Sequence, residues 1–223
     1  MYFSKVKIPC GAEYFSFLKE SNFGNMYHAH QLLWKLFPYN PEAERDFIFR
    51  EEQEQNRIYY YLVSKRKPET YSALEIQTKE YSPIINEGDY YSFTIRANPV
   101  VTRKREDKKN SSQHDVLMDA KKEAKENGLS DEDACNHINS KTIDWLQNKA
   151  EKHGFSISHE KATFKQYRQH NLYKKNKEKI HFSTVDYYGI LKVKDSDVFQ
   201  SSLFYGIGKK KAFGCGLLLI KPL

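Results

Sequence analysis

A phenol and an imidazole stand three residues apart at Tyr27 and His30, inside the stretch Asn25-Met26-Tyr27-His28-Ala29-His30-Gln31-Leu32-Leu33-Trp34-Lys35-Leu36-Phe37. If the stretch is helical, side chains at i and i+3 share a face, so the two rings converge on one reacting group. An imidazole titrates near neutrality and can give or take a proton, while a phenol can orient the group under attack. Proton transfer from a rigid element is the chemistry this pair suits. His28 and Lys35 fall on roughly the opposite side of the same helix. On these residues alone a histidine packed at the edge of a core is the simpler account, and the rest of the chain has to decide.

The element that positions the pair is legible. Asn25 is a good N-cap and Pro38 stops the helix, giving an expected helix over 27–37. Met26, Ala29, Leu32, Leu33, Leu36 and Phe37 fill one broad arc, which predicts the buried face, with Tyr27, His30 and Trp34 along its edge. Strands are expected over 2–8, 45–50, 57–64 and 90–97, and residues 74–79 suit a strand better than a helix. A second block runs helix, strand, strand, helix, strand. Its helix opens at the Ser130-x-x-Asp133 capping pattern, and its last strand is Cys215 to Ile220. The pattern predicts an α+β protein of two tandem ferredoxin-like (RRM-like) domains with antiparallel sheets. The expected divisions are residues 1–100, a charged linker or excursion over 101–130 that includes a weakly amphipathic helix over Val116–Glu126, and 131–223.

Two further stretches suit a polyanion. Between Lys161 and Lys179 there are seven cations, Lys161, Lys165, Arg168, Lys174, Lys175, Lys177 and Lys179, against the single acid Glu178, interleaved with Phe164, Tyr167, His170 and Tyr173. Cations mixed with aromatics fit RNA, and a solvated surface loop explains them equally well. The second stretch, Gly206-Ile207-Gly208-Lys209-Lys210-Lys211-Ala212-Phe213-Gly214-Cys215-Gly216, joins the last helix to the last strand. Its glycines allow positive φ and close approach to a ligand, and Lys209, Lys210 and Lys211 supply charge. It is not a Walker loop, because no G-x-x-x-x-G-K-[ST] is present.

Composition narrows the class. With 223 residues, 39% of them hydrophobic, 16 Tyr and 14 Phe, the chain is long and aromatic enough for two cores and is not a disordered segment. The net charge of +7 divides unevenly, since 12 Lys/Arg face 13 Asp/Glu in residues 1–100 and 24 face 16 afterwards. The basic excess therefore belongs to the second half. Cys10, Cys135 and Cys215 make no C-x-x-C pair, so neither a disulfide framework nor a zinc knuckle is encoded, and a reducing cytoplasm is expected. No run of 18 apolar residues marks a membrane span, and no carboxylate–histidine cluster marks a metal site.

Three motifs in order along nearly the whole chain resemble the CasE family, the CRISPR precursor-RNA endoribonucleases of the subtype I-E Cascade complex. They are Tyr27 through Pro38, Phe93-Thr94-Ile95-Arg96-Ala97-Asn98-Pro99, and Gly206 through Pro222. The resemblance implies cleavage of CRISPR repeat RNA at the base of its hairpin, without metal or other cofactor, and retention of the crRNA with other Cascade subunits. It puts the catalytic Tyr and His on Tyr27 and His30. A basic hairpin that grips the RNA falls near Lys161, Lys165, Arg168, Lys174 and Lys175. Gly206, Gly208, Lys209, Lys210 and Lys211 would hold the RNA backbone, with Lys35 a further candidate for charge on the phosphate. The alternatives are a non-catalytic RNA-binding subunit on the same frame, or a protein that binds a small anion at the glycine loop.

Overall fold

Sheet pairing divides the chain into two antiparallel units. The computed structural model describes residues 1–9, 26–38, 44–55, 57–72, 74–103, 111–173 and 179–223, and the side chains of Met26, Tyr27 and Tyr173 lie outside that description. In the first unit, β1 (Tyr2–Lys7), β2 (Phe47–Glu54), β3 (Arg57–Ser64) and β4 (Glu75–Glu80) form a sheet in the order β2-β3-β1-β4. All three pairings are antiparallel. That is the strand order of a ferredoxin-like domain. Helix α1 (Met26–Trp34) crosses from β1 to β2 and packs on one face.

The periodic arc of α1 is buried as expected. Ala29, Leu32, Leu33, Leu36 and Phe37 are all in the core, whereas Lys35 is exposed. The regular helix ends at Trp34, earlier than the spacing predicts. Lys35, Leu36 and Phe37 continue it with i to i−3 hydrogen bonds to Leu32, Leu33 and Trp34, a tightened last turn before Pro38. The expected cap, Asn25, lies outside the described residues.

The first half of β2, Phe47–Arg50, is buried on both faces. Phe47 and Phe49 join the core under α1. Ile48 instead packs with Val63 and Leu217 in a cluster that reaches the second unit.

In the second unit, β5 (Tyr90–Ala97), β8 (Phe155–Ile157), β9 (Thr163–Tyr173), β10 (Lys179–Val193) and β11 (Leu218–Pro222) form a sheet. Its order is β11-β5-β10-β8, with β9 also on β10. The helices are α2 (Val116–Glu126), α3 (Asp131–Lys152) and α4 (Ser196–Tyr205). Their caps are Asp115, Ser130 and Asp195, each accepting backbone N–H groups of the first turn. The two helices α3 and α4 and the strand order repeat the ferredoxin-like plan.

Three expectations about this half are revised. Tyr90–Ala97 pairs with β10 and β11, so it is the central strand of the second sheet and not the last strand of the first. Residues 101–130 are more than a linker. There β6 (Val100–Arg103) and β7 (Ser112–Asp115) form a two-stranded ribbon, and α2, the helix expected over Val116–Glu126, packs on α3. Residues 104–110 lie outside the described residues. Over Thr163–Tyr173 the basic stretch is not a surface loop but an extended strand paired with β10, and residues 174–178 lie outside the described residues. The pairing shifts between Thr184 and Asp186, and Gln166 opposite has φ of +57°, a bulge that bends this hairpin.

Candidate active site at the junction of the two domains

His30 sits on α1 with its ring against β2. The ring centroid lies 5.8 Å from Phe47 and 6.5 Å from Phe49, nearly parallel to the latter at 25°. One turn on, Trp34 Nε1 donates a 3.1 Å hydrogen bond to His30 Nε2. An indole N–H is only ever a donor, so Nε2 carries the lone pair and the neutral ring has its proton on Nδ1. Burial, and then the Arg45 guanidinium, lower the His30 pKa to about 4. The imidazole is therefore neutral at physiological pH.

Arg45 precedes β2 and is the residue that sequence reasoning missed. It is half-buried, and its Nε has no hydrogen-bond partner among the described residues. No described carboxylate lies within ion-pair distance of it either. Its charge is felt at His30 and at Lys211, whose ammonium pKa is lowered first by burial and then by Arg45. Arg45 is thus coupled both to a neutral histidine and to a second cation. Nothing in the sequence near Arg45 signals this; the pairing arises because the strand that follows it runs beneath α1.

The glycine loop brings Lys211 there. The turn Lys211–Phe213 packs on α1, so an element of the second domain closes on the histidine helix of the first. Gly214, at φ of +75°, allows the approach, since a Cβ there would meet the Phe49 ring at 3.3 Å. Lys211 Nζ donates to the Tyr205 carbonyl at the end of α4, 2.7 Å away. Lys210 has left-handed backbone and lies over the rings of Phe182 and Phe213, at the foot of the β9–β10 hairpin. Lys209 points elsewhere, to Thr102 Oγ1 at 3.4 Å.

The expected RNA-contact residues therefore do not act as one group. Gly206 is buried, and a Cβ there would meet the Gly216 carbonyl oxygen at 2.8 Å, so its role is backbone packing. Gly208 alone is open, with nothing within 4 Å of a Cβ. Lys161, Lys165 and Arg168 are exposed along the hairpin and the turn before it. Lys174 and Lys175 lie outside the described residues, as does the Tyr27 side chain. Lys35 turns from His30 to Tyr71, whose hydroxyl accepts from Nζ at 3.3 Å.

A buried ion cluster fixes the two domains across this junction. Arg96, in the Phe93–Pro99 motif, donates to both carboxylate oxygens of Asp186 at 2.7 and 2.9 Å and to the Glu51 carbonyl at 3.0 Å. Arg50 of β2 reaches Thr94 Oγ1 at 3.0 Å and lies 3.9 Å from the same aspartate. Glu51, two residues beyond Phe49, is itself held protonated to higher pH by burial, against the pull of Arg96, Tyr60 and Arg168. Among the described residues, no group of three or more His, Cys, Asp or Glu side chains is placed to hold a metal ion. None of the described helices is long and apolar enough to cross a membrane.

A profile described as CRISPR associated protein matches residues 1–222. The CRISPR system Cascade subunit CasE of Escherichia coli (strain K12) is 30% identical over 207 residues, covering 89% of this chain and 93% of its own. The chain belongs to the CasE family. The fold agrees with that membership. Thermus thermophilus Cse3, solved with an RNA representing a pre-cleavage complex, superposes with a TM-score of 0.69 at 18% identity over 99% of both chains. The CRISPR-associated protein Cas6e from Escherichia coli K-12 does so with a TM-score of 0.62 at 23% identity over the whole of both chains. In this CasE-family chain the three motifs that carried the resemblance meet in space. The first holds His30, the last closes on it, and the middle one anchors the two halves through Arg96.

Proposed function

We propose that this protein is a metal-independent endoribonuclease that binds the hairpin of CRISPR repeat RNA, cuts the precursor and stays with the crRNA in a cytoplasmic Cascade complex. One observation carries the reading: a neutral His30 within the field of Arg45, which also acts on Lys211, where a helix of one domain meets a glycine loop of the other. Membership of the CasE family, and relatives solved with RNA or as part of an RNA-guided surveillance complex, support the substrate and the assembly.

RNA brings its own nucleophile, so the protein has to activate a 2′-hydroxyl, hold the phosphate in line and let the 5′-oxygen leave. His30, neutral at pH 7, is the general base. It takes the 2′-hydroxyl proton at Nε2, the 2′-oxygen attacks the adjacent phosphorus, and the bond from phosphorus to O5′ breaks. The products are a 2′,3′-cyclic phosphate and a 5′-hydroxyl end, O5′ taking a proton that Tyr27 helps deliver. Because Trp34 donates to the same Nε2, bound RNA must exchange the indole N–H for its hydroxyl. Arg45 and Lys211 offset the charge that builds on the phosphate. The β9–β10 hairpin, with Lys165 and Arg168, grips the RNA stem.

The test is incubation with a labelled repeat hairpin in EDTA and analysis of the product ends. Cyclic or 3′-phosphate with 5′-hydroxyl ends are expected, and His30→Ala is expected to abolish cutting while binding stays within a few-fold. Cutting by His30→Ala would remove the base. Tight binding of RNA that stays intact with the unaltered protein would leave the non-catalytic subunit as the correct reading.

A further inference from the structure

A second cationic site lies beyond the glycine loop, in a cleft of the second domain about 660 Å³ in volume. That is the size of clefts that take nucleotide-sized ligands, roughly 300–1,000 Å³. Its walls are α2, one face of α3, strand β6 and residues Gly208 and Lys209. Charge is sorted along it. At one end the cations are matched, Arg103 to Asp119 at 2.9 Å and Lys141 to Glu123 at 3.7 Å. At the other end stand Lys149, Lys152 and Lys209, and no described carboxylate lies within ion-pair distance of any of them. The three repel one another, and burial plus that repulsion lower the Lys149 pKa. Lys149 is held in place over the Trp145 ring, 5.8 Å from its centroid.

The cleft is suited to phosphate and not to bases. Its one aromatic, Trp145, is already committed: it stacks on Tyr187 at 5.9 Å and donates Nε1–H to the Val100 carbonyl at 3.1 Å. No platform is left for a base to stack on. Open backbone at Gly208 borders the basic end, where a sugar–phosphate chain can approach closely. The basic end is also continuous with the candidate active site. His153, at the end of α3, has its pKa lowered by burial and by both Lys211 and Lys149, so the positive potential runs from Arg45 through Lys211 to Lys149.

We propose that Lys149, Lys152 and Lys209 form a second phosphate site, which holds the backbone of single-stranded RNA flanking the repeat hairpin. The inference rests on the RNA-cleaving reading above and extends its substrate from the hairpin to a flanking strand. Recognition there is independent of sequence and sensitive to salt.

The experiment compares three RNAs with a 2′-deoxy nucleotide at the cut site: the bare hairpin, and the hairpin with a flank of roughly eight nucleotides on its 5′ or its 3′ side. Affinities are read by fluorescence anisotropy across a salt series. With the unaltered protein, one flanked RNA is expected to bind tighter than the bare hairpin. Lys149→Ala/Lys152→Ala should bind the bare hairpin as the unaltered protein does and lose the gain from the flank. Its salt slope on flanked RNA should fall by about 1.4, about 0.7 for each lysine, so it loses about sevenfold less affinity between 50 and 200 mM salt. Lys209→Ala, on an exposed loop, gives the same direction by a change that leaves the α3 packing untouched. A flank that adds nothing, or a gain that survives both variants, overturns the proposal while the nuclease stands. Failure of the unaltered protein to bind even the bare hairpin overturns both.

Discussion

Replacing Trp34 with Phe tests how His30 is prepared. The phenyl ring keeps an aromatic edge against Phe47, which the indole contacts at 5.3 Å and 74°. It removes only the N–H that His30 Nε2 accepts at 3.1 Å. That bond is available to the neutral imidazole and not to the imidazolium, so it works with burial to depress the pKa. A neutral hydrogen bond of about 0.5–1.5 kcal/mol, at about 1.36 kcal/mol per pKa unit, corresponds to a rise of roughly half to one unit on its removal. The His30 midpoint should therefore move from about 4 in the unaltered protein upward by that amount in Trp34→Phe. The assay is a pH titration of the ring by long-range ¹H–¹⁵N correlation, which also reads the tautomer. The unaltered protein should show the Nδ1–H form, and the variant a mixture. Phe47→Leu is the control, because it loosens the packing and leaves the tautomer fixed. An Nε2–H tautomer in the unaltered protein, or an unmoved midpoint in the variant, would refute this account of His30.

Three other outcomes follow from the same geometry. Arg45→Ala should slow single-turnover cleavage by about 10²-fold or more with little loss of RNA affinity, as removal of one preorganised charge donor does; an unchanged rate would take Arg45 out of the site. Both His30 and His170 have pKa values lowered to about 4, so the unfolded chain binds more protons than the fold between about pH 6.5 and 4. The stability their neutral forms contribute is fully present above that window and lost as pH falls through it; urea melts at pH 7 and 4.5 should show the loss, reduced in His170→Gln. Asp186→Asn should cost roughly 3–5 kcal/mol in the same melts, because it leaves the buried Arg96 guanidinium without its ion-pair partner, while Arg96→Leu/Asp186→Leu should cost less; a double variant that costs the sum of its two single changes would mean the pair is not coupled.

The sequence makes α1 readable because its apolar residues recur at 3.6-residue spacing, and the structure buries those residues. It hides β9 because that strand is solvated on most of its length. Residues 163, 165, 168, 169 and 171 are exposed, so charge replaces the apolar alternation by which strands are recognised. The placement of Tyr90–Ala97 failed for a different reason. Its partners begin at residues 179 and 218, and no local pattern encodes a register made over so long a separation. Gly206 and Gly208 look alike in sequence, yet only one faces open space, a difference set by whether Gly216 folds back against it. Arg45 was invisible as a site residue because its meaning depends on which helix lies above the strand it precedes.

The candidate site belongs to neither domain alone, and this gives the buried charges a reason to be there. An apolar junction would satisfy β2 and β5 equally well, and buried ion pairs are weak contributors to stability. What the Arg50, Arg96 and Asp186 cluster supplies is direction. Arg96 has to reach Asp186 and the Glu51 carbonyl at once, which fixes how β2 lies on β5 and β10. The backbone of the same Arg96 accepts from Gly216 N–H at 2.7 Å, so the residue that orients the domains also pins the end of the glycine loop. From there the loop has only to close over Phe49 for the Lys211–Phe213 turn to pack on the helix of His30 and for Lys211 to come within the field of Arg45. A shift of β2 against β5 would move His30 and Lys211 apart, because one rides on each domain. Loss of Asp186 should accordingly lower cleavage in the folded protein by more than it lowers affinity for the RNA stem, which we propose is held by the hairpin of one domain alone.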